Sequence, residues 1–368
     1  SRLGIEKLRV APGQEEVTAL RLRQSGLVEA ASPEYLRHLA VVPDDHYYPE
    51  QWSLPKIDAP TAWMTTLGSP KVMVAVIDSG DDFSHPDRPV HLIAGPTFVS
   101  SPSPSCPPEG VNGPDDDNGH GTHVGGIVAA AFDNGIGVAG LAPGVSVLVI
   151  KAADCTGLLA DSDIAQAIQD AADSGAKVIN LSFGGPAPDP ILDQAVQYAW
   201  GKGAVLVAAA GNDGSNEAFY PASIPDVMAI SATDQNDAIA QFSNRGPEIA
   251  VAAPGVGIWS TVPTFVSSTG YAQESGTSMA APHVSAVAGL VWSIAPGFTN
   301  AQVVQAVERG AVRIGTVCPD TAFGYGRVDA AGALAAVRTL TAASNRIASG
   351  LTFRVFLPSV ANSRCGSP

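Results

Sequence analysis

The sequence predicts an α/β protein built on a doubly wound, mostly parallel sheet with helices on both faces. From about residue 71 onward, short and nearly continuous apolar runs alternate with segments of helical length and period. Strands buried on both faces of a parallel sheet have this apolar character, and their alternation with helices is typical of crossover connections. Hydrophobic residues make up 45% of the chain, which favours a folded protein over a disordered one.

The elements of this sheet are predicted in the following order. Strands fall at 72–77, 145–150, 178–181, 204–209, 227–232 and 249–253. Helices fall at 121–132, 161–174, 190–202, 278–294, 300–309 and 329–340. In an open sheet of this kind, functional groups belong at the carboxyl ends of the strands. The residues that follow the apolar runs are therefore the first candidates for chemistry.

Three regions of the chain are predicted. Residues 1–45 form a small α/β appendage, with a strand at 4–10, a helix at 14–25, an extended piece at 27–39 and a linker at 43–45. Residues 46–340 form the sheet domain. Residues 341–368 form a tail that is expected to pack on that domain and to end in an edge strand at 352–357.

Composition excludes some classes of partner. The formal charge of −15 argues against nucleic acid and anionic membranes, because both require clustered cations. No run approaches the roughly 18 to 20 apolar residues of a membrane span. The chain has no initiator Met and no signal peptide, so we expect a processed or trimmed form of a secreted precursor. The four cysteines favour two disulfides, with three possible pairings.

Ser278 is the first candidate for catalysis. It opens a small, apolar segment of helical period, and Pro282 is tolerable there only in the first turn of the helix. At a helix N-terminus, unpaired backbone N–H groups favour developing negative charge. An ordinary helix cap explains this serine equally well.

Three polar residues stand at other strand ends and helix starts. Asp78 ends an apolar run, His120 opens a helix between glycines, and Asn212 follows the run at 208–211. Each is ambiguous alone, because Asp78 could cap a turn and Asn212 could satisfy a loop. A metal site at His120 and His123 is disfavoured, because their spacing lacks the glutamate of H-E-x-x-H. Together with Ser278, these residues supply a base, a group that orients it, a nucleophile and an oxyanion donor.

These motifs resemble those of the subtilisin-like serine proteases, the subtilases, and are most similar to the thermitase-type branch. The resemblance extends over about 48–336 and depends on four ordered segments, 74–80, 120–124, 208–212 and 276–284. It implies a serine endopeptidase in which Asp78 orients His120, His120 activates Ser278, and Asn212 with the Ser278 backbone N–H holds the oxyanion. A lipase-type G-x-S-x-G elbow is absent around Ser278.

The resemblance also implies a substrate groove. Its two flanking segments pair with the substrate backbone, which reads no sequence, so broad specificity for proteins and peptides is expected. Phe219 falls where family members often have a small residue at the base of the specificity pocket, and it either shortens that pocket or points elsewhere. The implied groove and pocket residues are Gly157, Leu158, Leu159, Ser182, Phe183, Gly184, Ala209, Gly211 and Phe219.

A structural calcium site is similar to the strongest site of the family. The ligands implied are the side chains of Asp87 and Asn134, the carbonyls of Phe132, Ile136 and Val138, and one further ligand from Gln51 or Glu50. The acidic run at 115–118 could bind another ion or form a solvated loop.

The remaining expectations concern disulfides, processing and assembly. Cys106 and Cys155 could pair beside the groove, and Cys318 is the natural partner for Cys365. Residues 1–45 resemble the second half of a subtilase propeptide, and 34–39 would then lie along the groove as an inhibitor. The resemblance implies a secreted, monomeric protease that either acts on proteins or is held inactive as a zymogen by this segment.

Overall fold

The structure is a computed structural model that describes residues 7–11, 14–28, 30–32, 41–106 and 113–348. The chain forms two compact units, Ser1–Ala40 and Val41–Pro368. The first unit contains helix α1 (Glu15–Ser25), which ends at Gly26 in the left-handed conformation that glycine tolerates. Of the strand predicted at 4–10, residues 7–10 are described and form no strand, and most of the piece predicted at 27–39 lies outside the described residues.

A seven-stranded sheet forms the centre of the second unit, and all of its strand pairs are parallel. The strand order is β2-β3-β1-β4-β5-β6-β7. This confirms the predicted α/β class with a mostly parallel sheet. The strands are β1 (Met73–Asp78), β2 (His91–Thr97), β3 (Ser146–Lys151), β4 (Val178–Leu181), β5 (Val205–Ala209), β6 (Val227–Thr233) and β7 (Ile249–Pro254).

Helices cover both faces of this sheet. They are α2 (Ser53–Lys56), α3 (Ala59–Trp63), α4 (His120–Ala129), α5 (Asp161–Asp173), α6 (Pro190–Gly201), α7 (Thr277–Ile294), α8 (Asn300–Gly310) and α9 (Ala330–Ala348), with a 3-10 turn at Tyr48–Glu50. None of the described helices is both long and apolar enough to cross a membrane. The end of α9 was predicted at 340, whereas the helix continues eight residues into the predicted tail. The predicted edge strand at 352–357 lies outside the described residues.

Side-chain alternation along the strands builds two apolar cores. On β1, Val74 and Val76 join the core that contains α4 and α7, whereas Ala75 and Ile77 join the core that contains α5 and α6. Successive side chains of a strand point to opposite faces, so a run that is apolar at every position needs both faces covered. This burial fixes β1 at the centre of the sheet and holds its carboxyl end rigidly.

Three strands were not predicted from the sequence. The edge strand β2 has no buried residue and contains Gly95 and Pro96, so it lacks the apolar signal of a buried strand. Strands β8 (Ile258–Thr261) and β9 (Tyr271–Glu274) form a separate antiparallel pair of four residues each. This pair depends on tertiary contacts, since the hydroxyl of Ser260 donates to the carbonyl of His123 in α4.

Candidate active site

The strand order brings the predicted polar residues to one edge of the sheet. β1, β4 and β5 are neighbours, and Asp78, Ser182 and Ala210 stand at or directly after their carboxyl ends. Helices α4 and α7 begin at the same edge with His120 and Thr277. A cavity of about 220 Å³ opens there, and its lining includes Asp78, His120 and Ser182.

Asp78 and His120 form a direct pair. The Asp78 carboxylate is buried, and its Oδ1 lies 2.7 Å from Nδ1 of the partly exposed His120 ring. The N–H of Ser79 also donates to this oxygen, at 2.8 Å, which fixes the carboxylate. A carboxylate can only accept a hydrogen bond, so Nδ1 carries the proton and Nε2 is the nitrogen able to take up another.

The electrostatic surroundings favour the charged form of His120. Burial by itself lowers the pKa of the imidazole, but the charge and hydrogen bond of Asp78, followed by the charges of Glu274 and Asp116, raise it to about 9. An opposite charge within a few ångströms stabilises a protonated imidazole. A site that uses neutral His120 as a base therefore gains activity as the pH rises through this pKa.

Ser278 is the second residue of α7 and is partly exposed. Its hydroxyl donates to the carbonyl of Ser182 at 2.9 Å, and the hydroxyl of Ser182 donates in return to the carbonyl of Ser278 at 2.8 Å. Among the described residues, no hydrogen bond joins Ser278 to His120. Catalytic hydrogen bonds are often absent or long before substrate binds, so this geometry is compatible with a serine that turns its hydroxyl toward Nε2.

Pro282 explains the reciprocal bond between these serines. The sequence predicted this proline in the first turn, but α7 begins at Thr277, which places Pro282 in the second turn. Proline lacks the N–H that would bond to the carbonyl four residues earlier, which is that of Ser278. The hydroxyl of Ser182 donates to this carbonyl in place of the missing N–H. The replacement hydrogen bond connects the start of α7 to the residue after β4.

Asn212 is exposed beside the start of α7, and Thr277 sets its orientation. Oδ1 of Asn212 accepts from the backbone N–H of Thr277 at 2.8 Å and from the Thr277 hydroxyl at 3.0 Å. That hydroxyl also accepts from the N–H of Gly211 at 3.1 Å. With its oxygen held in this way, the amide presents Nδ2, which is the donor an oxyanion requires.

The loop before α4 contains a buried carboxylate that sequence reasoning did not assign. Asp116 accepts from the N–H groups of Asn118 and Gly119 and from the Ser79 hydroxyl on Oδ1. Its Oδ2 accepts from the N–H and hydroxyl of Thr122. Asp116 thereby joins the residue after Asp78 to the first turn of the helix that carries His120.

A buried lysine fixes the same loop. Lys151, 1% exposed, donates to the carbonyl of Ser79 and to the Asp117 carboxylate. Of the acidic run at 115–118, Asp115 is exposed, whereas Asp116 and Asp117 bond to protein donors. Of the two predicted alternatives, the solvated loop therefore describes Asp115 alone. Asp116 and Asp117 are held by hydrogen bonds within the protein.

The two predicted groove segments border the cavity. Thr156, Gly157 and Leu159 line one side, and Ser182 and Phe183 line the other. Leu158 is 68% exposed. The first segment is a turn held by Asp154, whose Oδ1 accepts from Thr156 and Leu158. The predicted disulfide between Cys106 and Cys155 is present beside this turn. Cys365 lies outside the described residues, so its pairing with Cys318 stays a prediction.

Phe219 lies between the two glycines that the sequence placed at the specificity pocket. A β-carbon built on Gly184 would collide with Cε1 of the Phe219 ring. One built on Gly211 would lie 2.9 Å from Cγ and 3.0 Å from Cδ2 of the same ring. Ala209 is buried in β5, directly before this region. The ring therefore packs against both glycines, and that it shortens the specificity pocket stays a prediction.

The predicted calcium residues also meet in one place. Oδ1 of the buried Asp87 accepts from Nδ2 of Asn134 at 2.7 Å, and its Oδ2 accepts from the N–H of Val138 at 2.9 Å. Burial, with the charge of Asp45 adding to it, raises the pKa of Asp87 to about 7. The loop that contains Phe132, Ile136 and Val138 thus folds over this carboxylate.

Asp45 is a second buried carboxylate beside the 132–138 loop, although the sequence predicts that it lies in a linker. It is 2% exposed, its Oδ2 accepts from the N–H of Asp133, and its Oδ1 has no hydrogen-bond partner. Gln51 uses both amide atoms on the backbone of Ala139, so its role as a ligand stays a prediction. Among the described residues, no three His, Cys, Asp or Glu side chains form a metal-binding group.

An orphaned buried oxygen next to a second carboxylate fits a hard cation. Calcium takes oxygen ligands from carboxylates, amides and backbone carbonyls, and it does not require a cluster of three acids. The candidate groups are the carboxylates of Asp45 and Asp87, the amide oxygen of Asn134, which here accepts from the N–H of Ile136, and the carbonyls of the 132–138 loop. The donor set therefore fits calcium better than a transition metal.

The site combines an imidazole paired with a buried carboxylate and a serine at a helix start. This combination is typical of serine hydrolases that work by acyl transfer. The order Asp, His, Ser along the chain separates this protein from the lipase-type hydrolases, whose order differs.

The family follows from comparison with known proteins. The model of the subtilase family matches residues 69–326, and the chain belongs to this family. It is a serine endopeptidase, and the predicted resemblance to the thermitase-type branch is confirmed. It is 44% identical to a thermophilic serine proteinase of Bacillus sp. (strain AK1), over 86% of this chain and 75% of that protein. It is 42% identical to thermitase of Thermoactinomyces vulgaris, over 78% of this chain and 97% of thermitase.

The fold has a solved counterpart. A protease from Pseudoalteromonas arctica superposes with a TM-score of 0.73 at 32% sequence identity, covering 81% of this chain and all of that one.

Proposed function

We propose that the protein is a secreted, calcium-stabilised endopeptidase that hydrolyses peptide bonds through an acyl-enzyme on Ser278. The observation that carries this proposal is the 2.7 Å pair of Asp78 and His120. This pair lines the same cavity as Ser182, the residue whose carbonyl accepts the Ser278 hydroxyl. A serine hydroxyl is a weak nucleophile near neutral pH, so it needs a base of this kind.

The chemistry follows from these groups. Nε2 of His120 takes the hydroxyl proton as Oγ of Ser278 bonds to the substrate carbonyl carbon. His120 then gives that proton to the leaving amine as the C–N bond breaks, and Asp78 stabilises the imidazolium between these steps. A water molecule, activated by the same imidazole, releases the acyl group and restores the serine.

The oxyanion site has two donors in this proposal. Nδ2 of Asn212 is held outward by Thr277, and the backbone N–H of Ser278 lies in the first turn of α7, where it has no intrahelical acceptor. Loss of one such donor from a protease of this kind lowers turnover by about a hundred- to a thousandfold. The two donors therefore provide a large share of the stabilisation of the transition state.

Substrate recognition rests mainly on the backbone. Residues 156–158 of the first segment are exposed, and the second segment runs from buried Ser182 to exposed Gly184, which suits pairing with an extended peptide as an added strand. Such pairing tolerates most side chains along the groove, which supports broad specificity at these positions. The disulfide between Cys106 and Cys155 supports secretion, because disulfides persist in oxidising compartments.

Calcium would be held by Asp45, Asp87, Asn134 and carbonyls of the 132–138 loop. It would neutralise two buried carboxylates and give the orphaned oxygen of Asp45 a partner. Its role is structural, because these residues stand apart from those that act on the substrate. The inhibitory role of residues 34–39 also stays a proposal, since these residues lie outside the described part of the chain.

Fluorophosphonate labelling tests the proposal directly. We expect a fluorophosphonate to label the wild type and not Ser278→Ala, and we expect this variant to lose about a millionfold in turnover on a protein substrate. Labelling only after removal of residues 1–45 would identify the purified protein as an inhibited zymogen. Full peptide cleavage by Ser278→Ala would overturn the assignment of the nucleophile.

A further inference from the structure

A buried lysine lies at the same edge of the sheet as the candidate site and takes no part in the chemistry proposed above. Lys151 is the last residue of β3, and the parallel register of β1 and β3 places it opposite Asp78. The residue is 1% exposed, so its ammonium group is removed from water. A buried charge is costly unless it is paired and hydrogen-bonded, so the partners of this lysine show what it holds.

The ammonium of Lys151 connects two separate segments. Its Nζ donates to the backbone carbonyl of Ser79, the residue after Asp78, at 2.7 Å. It also donates to Oδ1 of Asp117, with which it forms an ion pair. Asp117 belongs to the loop that leads into His120. One side chain thus joins the backbone after the buried carboxylate to the loop before the imidazole.

The backbone of the same strand end restrains Asp78 directly. The carbonyl of Asp78 accepts from the N–H groups of Ala152 and Ala153, at 2.8 Å and 3.1 Å. These bonds fix the end of β1 but do not involve the loop before α4. Asp116 braces that loop from within, through its bond to the hydroxyl of the residue after Asp78. Lys151 adds a brace from outside the loop, and this brace carries a positive charge.

The charge of Lys151 matters because negative charges already surround His120. Burial lowers the pKa of this imidazole, but carboxylates on three segments raise it. They are Asp78 on β1, Glu274 on β9 and Asp116 in the loop. Asp117 follows Asp116 directly, and its carboxylate is paired with the ammonium of Lys151. Loss of the lysine would therefore leave a further uncompensated negative charge in the loop before His120.

We propose that Lys151 is a positioning residue for His120, which holds the loop before α4 against the end of β1 and offsets the charge of Asp117. This inference rests on the proposed function, because it concerns the place and charge state of His120 as the base. A buried ion pair is a weak source of stability, since the cost of desolvation offsets much of the attraction between its charges. Its effect is therefore expected on kcat and on the pH profile.

Two variants break the same pair with opposite changes of charge. Lys151→Met leaves Asp117 unpaired, whereas Asp117→Ala leaves the ammonium without its counter-ion. We expect kcat on a peptide p-nitroanilide to fall by about ten- to a hundredfold in both, because a small misplacement of a catalytic group is costly. The acidic limb of kcat/KM should move to higher pH in Lys151→Met and to lower pH in Asp117→Ala, because added negative charge favours the protonated imidazole and added positive charge disfavours it.

The double variant Lys151→Met/Asp117→Ala restores the balance of charge but not the bridge. Its acidic limb should return to the wild-type position. Its kcat should stay about as low as in the single variants and not fall by the product of their effects, because both changes remove one interaction. Lys71→Met is the control, since Lys71 is an exposed lysine before the amino end of β1, at the opposite edge of the sheet. This variant should keep the wild-type kcat and limb.

The outcomes separate the inference from the function beneath it. Limbs that stay in place, or that move in the same direction in both single variants, would overturn the inference, because a purely structural role predicts no opposite shifts. Recovery of kcat in the double variant would also overturn it. Should Lys151→Met not fold, Asp117→Ala decides alone, and a wild-type kcat or an unmoved limb in that variant would count against the inference. If the wild type neither cleaves the peptide nor reacts with a fluorophosphonate, the proposed function fails instead.

Discussion

Two loops of this protein bury acidic side chains, and they satisfy them in different ways. In the 115–118 loop, both oxygens of Asp116 accept hydrogen bonds from protein donors. Beside the 132–138 loop, Asp87 and Asp45 repel each other, and one buried oxygen of Asp45 has no donor. The protein itself satisfies the buried carboxylate of the first loop, whereas the two carboxylates beside the second loop lack a positively charged partner among the described residues.

This difference separates two roles that look alike in the sequence, where both appear as acidic residues near glycines. A buried charge is stable only if it is paired or hydrogen-bonded. Where backbone N–H groups satisfy the carboxylate, it braces the polypeptide and sets the position of its neighbours. Where a buried oxygen lacks a donor next to a second carboxylate, as at Asp45, a cation would supply the missing partner. The two classes of carboxylate should therefore respond oppositely to substitution and to chelation.

Among the carboxylates compared here, the largest effect is expected for Asp116→Asn. An amide has one acceptor oxygen, so its NH₂ group would face N–H or hydroxyl donors on one side, and His120 would lose its fixed place beside Asp78. Misplacement of a catalytic group by about 1 Å costs on the order of a hundredfold in rate. We expect kcat to fall by about that factor with little change in KM, measured on a peptide substrate, and with no new dependence on calcium.

The matched control is Asp115→Asn in the same acidic run. Asp115 is exposed, so its substitution should leave kcat within about twofold, in keeping with the small effect of surface changes. Equal losses in both variants would show that the charge of the loop matters and not the hydrogen bonds of Asp116.

The second prediction concerns Asp87→Asn. At a calcium concentration about 100 times its Kd, the bound ion stabilises the fold by about 2.7 kcal/mol, and a chelator removes that contribution. We expect a chelator to lower the melting temperature of the wild type and to have little effect on Asp87→Asn. Without calcium, the variant should melt no lower than the wild type, because the substitution removes the repulsion between Asp87 and Asp45.

Asp133→Asn in the same loop serves as the control for calcium binding. The Asp133 side chain is exposed, and its Oδ1 accepts from the N–H of Asp44. This variant should keep the response to chelator. A wild type whose melting temperature does not depend on calcium would contradict the assignment of the site.

The sequence was a good guide wherever burial on both faces produced a continuous apolar signal. β4 was predicted to the residue at 178–181, and β1 was predicted one residue early at each end. Asp78 and Asn212 follow such runs, so their edge of the sheet could be inferred from topology alone. Edge strand β2 and the hairpin of β8 and β9 were missed because their stability comes from neighbours that lie far away in sequence.

The loops were harder to predict for the same physical reason. The direction of the Phe219 ring could not be predicted, since the ring packs against Gly184 and Gly211, which follow different strands. The assignment of Asp45 to a linker failed because its partner, the N–H of Asp133, is 88 residues away. Likewise, the role of Thr277 depends on an amide delivered by another strand end. Local pattern cannot report contacts of this kind.

The smallest effect is expected for a third carboxylate, Glu274, which belongs to neither class. It stands at the end of β9, partly buried, and its charge is among those that raise the pKa of His120. The base must be neutral, so kcat/KM falls as the pH drops through the pKa of His120. Glu274→Gln removes a negative charge, which lowers that pKa, and the acidic limb of the profile should move to lower pH by less than about one unit.

The control for this prediction is Glu217→Gln, which changes an exposed loop carboxylate and should leave the acidic limb in place. A shift to higher pH in Glu274→Gln would mean that this carboxylate acts on His120 through structure and not through its charge.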